Sequence, residues 1–180
     1  MVRAEFDTNR EVRAAWRSRS CMTCVVSIFD WRVHRGKQAV LLEMGEAMVA
    51  ESRFHAYGLN RDKSTLVLTS MIGHHPQSTI LLAERDNGEV VGMLAGYVVD
   101  FFFCDALVAQ DRFFYVRQDA RGSSAAIKLL FAFRRWAETR KVRELNINMS
   151  VAIEMQRFNK MMAKLGFRCS GSNFSLALNG

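Results

Sequence analysis

Val116–Ala137 reads VRQDARGSSAAIKLLFAFRRWA: the end of an apolar strand, a turn built on Arg121-Gly122-Ser123-Ser124-Ala125-Ala126, and an amphipathic helix that begins at once. Such a junction is suited to hold an anion. Gly122 removes the side chain that would keep a phosphate off the backbone, and Ser123, Ser124, Ala125 and Ala126 leave successive N–H groups of a first helical turn open. Arg121 adds a fixed positive charge. The competing reading is an ordinary helix cap, because Gly and Ser favour that position whether or not a ligand binds. The helix itself places Ala126, Leu129, Leu130, Phe133 and Ala137 on one face, against Lys128, Arg134, Arg135 and Glu138 on the other.

Downstream, Glu144–Ser150 (ELNINMS) alternates strictly, with Leu145, Ile147 and Met149 on one side and Asn146, Asn148 and Ser150 on the other, and predicts a half-buried strand. Phe158, Met161, Met162 and Leu165 make a helical stripe that stops at Gly166, a C-terminal capping glycine. A final hairpin is expected from 167–169 and 173–178. Upstream, Arg112–Val116 predicts a strand. Before it, Ser78–Glu84, the turn Asp86-Asn87-Gly88 and Val90–Phe103 read as an antiparallel pair, with Gly92 and Gly96 marking a bulge or close backbone approach. Earlier still, Val25–Val33 predicts a strand and Lys37–Ser52 a helix. Arg53–Ser64 reads as a loop, with a short helix from Leu66 to Met71. A meander followed by strands alternating with helices implies a mixed α/β sheet with helices on its faces.

The 180 residues suit one domain, expected over 23–180, preceded by a basic arm over 1–22. Arg3, Arg10, Arg13, Arg17 and Arg19 interrupt every early apolar run, and the longest apolar stretch, Val90–Val108, carries Asp100 and Asp105. Neither a secretory leader nor a membrane span is therefore expected, and a cytoplasmic location is. Cys21 and Cys24 form a CxxC, but no His is spaced to complete a zinc site, so no metal is expected and the cysteines read as free buried thiols. The net charge of +7 favours anionic partners, whether a phosphorylated ligand or nucleic acid.

Three passages resemble the GNAT superfamily of acyl-CoA N-acyltransferases, in order, over about Val25–Leu178. The 121–126 turn is similar to that family's Q/R-x-x-G-x-G/A loop, with Ser124 in place of the middle glycine. Asp86–Met93 (DNGEVVGM) is similar to its D-G-E-I-V-G meander, and Met162–Phe167 (MAKLGF) to its Y-E-K-L-G-F ending. The resemblance implies a mixed, mostly antiparallel sheet of six to seven strands with a splayed pair and flanking helices. It also implies acetyl-CoA as acyl donor. Its pyrophosphate would lie on the amides of 122–127, and its pantetheine between strands 112–116 and 144–150, so that Tyr115, Val116, Arg121, Gly122, Ser123, Ser124, Ala125, Ala126 and Asn148 are the candidate cofactor residues.

The implied chemistry is direct attack of a primary amine, on a small molecule or a protein, on the thioester. The family's tyrosine acid falls at Met162, and a thioether donates no proton. Substitutes are Ser150 at the end of the alternating strand and Tyr115 on the cleft strand. Candidate bases are Asp105, following the long apolar strand, and Glu84, closing the preceding one; His74 and His75 stand in a loop. The alternative is a catalytically weak binding module of the same fold, recognising nucleic acid or an acidic protein through its basic surface. Pairing into a homodimer through edge strands is a further expectation of the resemblance.

Overall fold

A computed structural model describes residues 24–30, 32–72, 77–148, 155–171 and 175–176. Its elements are β1 (Cys24–Ile28), α1 (Lys37–Ala50), a 3₁₀ turn (His55–Tyr57), α2 (Arg61–Ile72), β2 (Ser78–Arg85), β3 (Val90–Asp100), β4 (Leu107–Val116), α3 (Ala125–Thr139), β5 (Glu144–Asn146) and α4 (Met155–Lys164). The sheet runs β1-β2-β3-β4-β5 in spatial order. The first four strands are antiparallel and β5 joins β4 in parallel. The expected mixed α/β architecture is present, with five strands among the described residues where six to seven were expected. Residues 167–171 form no strand, and 172–174 and 177–180 of the expected final hairpin lie outside the described residues, as does the arm 1–22.

Each face of the sheet carries its own core. On one, Leu81, Ala83, Leu94, Ala109 and Val116 pack against Leu129, Leu130, Phe133 and Trp136 of α3. On the other, Ile80, Leu82, Met93, Ala95 and Tyr115 pack against Leu41 and Met44 of α1 and Leu68 and Met71 of α2. Burial of both faces explains why β2 and β3 read as continuous apolar runs rather than alternating ones. Gly96 is where helix and sheet meet most closely, since a Cβ there would fall on the ring edge of Phe133. Phe133 is fully buried and stacks on Trp136 with ring centroids 5.5 Å apart.

Several boundaries differ from expectation. β1 ends at Ile28 because Asp30 folds the chain into a turn: its carboxylate accepts the Arg32 N–H at 2.8 Å and its carbonyl the His34 N–H at 2.7 Å. The predicted loop over 53–64 holds the start of α2, whose first turn is capped by Asn60, its Oδ1 accepting the Lys63 N–H at 2.9 Å. The long strand from Val90 stops at Asp100, and the chain turns over 101–106 into a β4 that begins five residues before the predicted Arg112. At the end of α4, Gly166 has φ +87° and the Phe167 N–H reaches the Met162 carbonyl at 3.0 Å, a helix stop of the expected kind. Cys24 is a buried free thiol as expected, whereas Cys104 and Cys169 are exposed.

Candidate active site

β4 and β5 stay paired for only three residues. Val108 faces Glu144, Ala109 faces Leu145 and Gln110 faces Asn146. Beyond that point β4 continues to Val116 without β5 beside it, so among the described residues the backbone edge from 111 to 116 borders a gap. Two features open it. A bulge sets both Asp111 and Arg112 opposite Gly96, because Ala95 faces Phe113 and Gly96 faces Asp111. The Asp111 carboxylate then occupies the fork: its Oδ1 accepts the Asn148 backbone N–H at 2.7 Å and the Asn148 Nδ2–H at 3.0 Å.

Asp111 is 6% exposed. Burial pushes its carboxyl up to about 6, against the smaller opposing effect of the two Asn148 hydrogen bonds. Oδ2 makes no hydrogen bond to any described residue. Asp111 was not among the sequence candidates, although a signal existed: an aspartate sits between Ala109 and the aromatic run Phe113-Phe114-Tyr115, where a strand covered on both faces should be apolar.

The unpaired edge of β4 leads into the 121–126 turn. Gly122 has φ +88°, a backbone conformation that favours glycine. The N–H groups of Gly122, Ser124, Ala126 and Ile127 make no hydrogen bond to any described residue. The Ser123 hydroxyl accepts the Ala125 N–H at 3.2 Å. Ser124 opens α3 without a side-chain cap, its hydroxyl 3.5 Å from the Cys24 thiol and 2% exposed. Ala125 is fully buried, Ala126 partly.

Arg121 does not face the open amides. Its guanidinium pairs with Glu51 after α1, lies 5.6 Å from the Tyr115 ring centre, and donates through Nε to the Val116 carbonyl at 3.1 Å. The charge nearest the turn comes instead from α4. The Arg157 guanidinium lies 3.5 Å from where a Gly122 Cβ would stand, and it forms no ion pair with a described residue. Sequence reading missed Arg157, because only the packing of α4 brings it there.

Tyr115, proposed both as acid and as cofactor contact, is 4% exposed on the α1 face, and its hydroxyl donates to Glu51 at 2.6 Å. Burial first, then that bond and the Glu51 charge, push its pKa up to about 12. For Glu51, burial acts upward, but hydrogen bonds from Tyr115, Arg121 and Gln118 outweigh it and hold the carboxyl below the usual range. Val116 is buried in the α3 core. Asn148 is spent on Asp111.

The other predicted acids lie elsewhere. Asp105 is exposed in the turn before β4, about 30 Å along that strand from Val116. Glu84 sits at the far end of β2, its Oε2 accepting from Lys37 at 2.6 Å and its Oε1 3.6 Å from His34 Nε2. That position is about 20 Å along the sheet from Asp111. Ser150, His74 and His75 lie outside the described residues. Met162, at the family's tyrosine position, is buried in the α3 core.

On the opposite face, between α2 and the β3–β4 pair, lies a cleft of about 230 Å³ lined by Val67, Ser70, Met71, Ser78, Tyr97 and Arg112. Tyr97 accepts a hydrogen bond from Gln110 Nε2 on the last paired step of β4. Arg112, the extra residue of the bulge, lines this cleft, and its neighbour Asp111 reaches Asn148 at the gap.

Comparison with known proteins agrees with this arrangement. No curated protein sequence gives a significant match. Among solved structures, a ribosomal-protein-alanine N-acetyltransferase from Brucella melitensis biovar Abortus 2308 is similar with TM-score 0.61 at 16% identity, over 87% of this chain and 99% of that one. AAC(6')-Iy in complex with a bisubstrate analog, CoA-S-monomethyl-acetylneamine, is similar with TM-score 0.61 at 17% identity, over 88% and 99%. Glucosamine-6-phosphate N-acetyltransferase from Arabidopsis thaliana is similar with TM-score 0.64 at 12% identity, over 87% and 99%. At these identities the likeness is one of fold. The family model described as Acetyltransferase (GNAT) family matches residues 46–167, well over half of the sequence and the whole of the gap, bulge and turn. The chain belongs to the GNAT acetyltransferase family.

Proposed function

We propose that this protein is an acetyl-CoA-dependent N-acetyltransferase that moves an acetyl group to the primary amine of a small molecule or protein. The observation that carries the reading is the succession of two backbone surfaces that no described strand or helix covers, the edge of β4 and the open amides of the turn at the start of α3. Together they suit a ligand that ends in phosphates and carries amides along its length. The amides of Gly122, Ser124 and Ala126, with the helix N-terminus and Arg157, would hold the pyrophosphate. The edge from Arg112 to Val116 would pair with the pantetheine amides. Acetyl-CoA supplies the activated acyl group.

The chain's own residues then have separable tasks. Asp111 Oδ2 takes the proton of the attacking ammonium, and a carboxyl near 6 is basic enough to do so while still ionised at neutral pH. Asn148 fixes that carboxylate. The Glu51–Arg121–Tyr115 cluster braces the turn against β4. Met162 cannot protonate the departing thiolate, so the C–S bond breaks with the sulfur leaving as thiolate, which then takes its proton from solvent. Calorimetric titration with acetyl-CoA tests the assignment, followed by an acceptor screen read by release of free thiol. Failure to bind acetyl-CoA at millimolar concentration would remove it. Nucleic-acid binding that weakens steeply with salt, in the absence of CoA binding, would favour the non-catalytic module that Met162 also suits.

A further inference from the structure

We infer that the acceptor amine also carries an anionic group, a carboxylate or phosphate, and that Arg112 recognises it. The inference rests on the transferase reading and specifies its substrate class. Arg112 is the extra residue of the β4 bulge. Its neighbour Asp111 holds a negative charge at the fork of β4 and β5, while Arg112 extends to the α2 face and lines the cleft with Val67, Ser70 and Met71. Its guanidinium forms no ion pair with a described residue, and its ring contact to Tyr97, at 6.0 Å from the centroid, is loose.

No Asp or Glu is among the described residues lining the cleft. A polycation would bring a second positive charge against that guanidinium. An amine bearing an anion meets the reverse: its ammonium faces Asp111, its anion faces Arg112, and the planar guanidinium grips either a carboxylate or a phosphate through two parallel N–H groups. Polar groups on the rim add orientation. The Ser70 hydroxyl donates to the Val67 carbonyl at 2.8 Å, which leaves its oxygen free to accept, and the Tyr97 oxygen already accepts from Gln110, which leaves its O–H free to donate. Two fixed charges of opposite sign on adjacent residues of one strand thus define a dipolar acceptor.

The test uses the full chain with acetyl-CoA and four amines: glutamate, O-phosphoethanolamine, ethanolamine and spermidine, read by thiol release. The expected result is a kcat/KM for glutamate or O-phosphoethanolamine about tenfold or more above ethanolamine, with spermidine lowest. Whichever anionic amine leads identifies carboxylate or phosphate as the group bound. Arg112→Gln should raise KM for that amine by about tenfold and so remove its preference over ethanolamine, and Arg112→Lys should restore part of the preference. Acetyl-CoA binding with equal use of ethanolamine, preference for spermidine, or indifference to Arg112→Gln overturns the inference and leaves the transferase reading intact. Absence of acetyl-CoA binding overturns both.

Discussion

In the proposed transfer, Asp111 is the group that takes the proton. Its pKa is raised from 3.8 to about 6, so the folded chain holds the proton more tightly than the unfolded one. The stabilisation that results is complete below about pH 4 and is lost as pH rises through about 6; above that the buried charge opposes folding. Asp111→Asn keeps an acceptor for Asn148 and removes the charge. Its melting temperature relative to the parent is expected to be higher at pH 8 than at pH 5, a trend opposite to that of a merely disruptive change. Acetyl transfer by the parent should rise with pH through about 6, and the variant should lose that limb together with about a hundredfold or more in rate. A pH–rate profile and matched thermal melts check both. Gly122 is a second residue-scale test. A β-branched side chain at φ +88° strains the turn and stands among the open amides, so Gly122→Val should abolish acetyl-CoA binding in calorimetry while leaving the circular dichroism of the fold intact.

Among the elements, the contact of α3 with β3 sets the position of the turn. Gly96 leaves room for the edge of the Phe133 ring, and Gly96→Ala forces that ring off a fully buried position. A loss of about 1–3 kcal/mol in urea unfolding is expected. The link between α1 and the end of β4 depends on Glu51, which accepts from the Tyr115 hydroxyl and the Arg121 guanidinium. Its lowered pKa means that its contribution is present above the ordinary carboxylate range and disappears as pH falls below it. Glu51→Gln should cost about 1–3 kcal/mol near pH 7, and the difference from the parent should shrink in melts taken toward pH 3. The same substitution frees Arg121 from its partner, so weaker acetyl-CoA binding should accompany the loss if the cluster braces the turn.

At the scale of the molecule, the proposed ligand would tie β4, α3 and α4 together across a gap that the sheet leaves open. Saturation at about 100 times Kd adds about 2.7 kcal/mol to the folded state, which for a chain of this size raises the melting temperature by about 5–10 °C. A thermal-shift series in acetyl-CoA should show that rise, and the Gly122→Val variant should not.

Much of this arrangement was legible from residue order. The glycine-serine turn, the α3 stripe, the Asp86-Asn87-Gly88 hairpin and the Gly166 stop are short-range signals, set by allowed backbone conformations and by the spacing of apolar side chains, and each lies where it was expected. What residue order could not supply was which groups meet across the sheet. Asp105 and Glu84 looked as suitable as any acid, and Arg121 looked like the anion's partner. Charge, however, acts through space: the bulge opposite Gly96 brings Asp111 to Asn148, Glu51 draws Arg121 away, and the packing of α4 carries Arg157 to Gly122. Local conformation was therefore written in the chain, whereas the identity of the charged groups at the gap depended on contacts between residues as far as 70 positions apart, which only the assembled sheet and helices create.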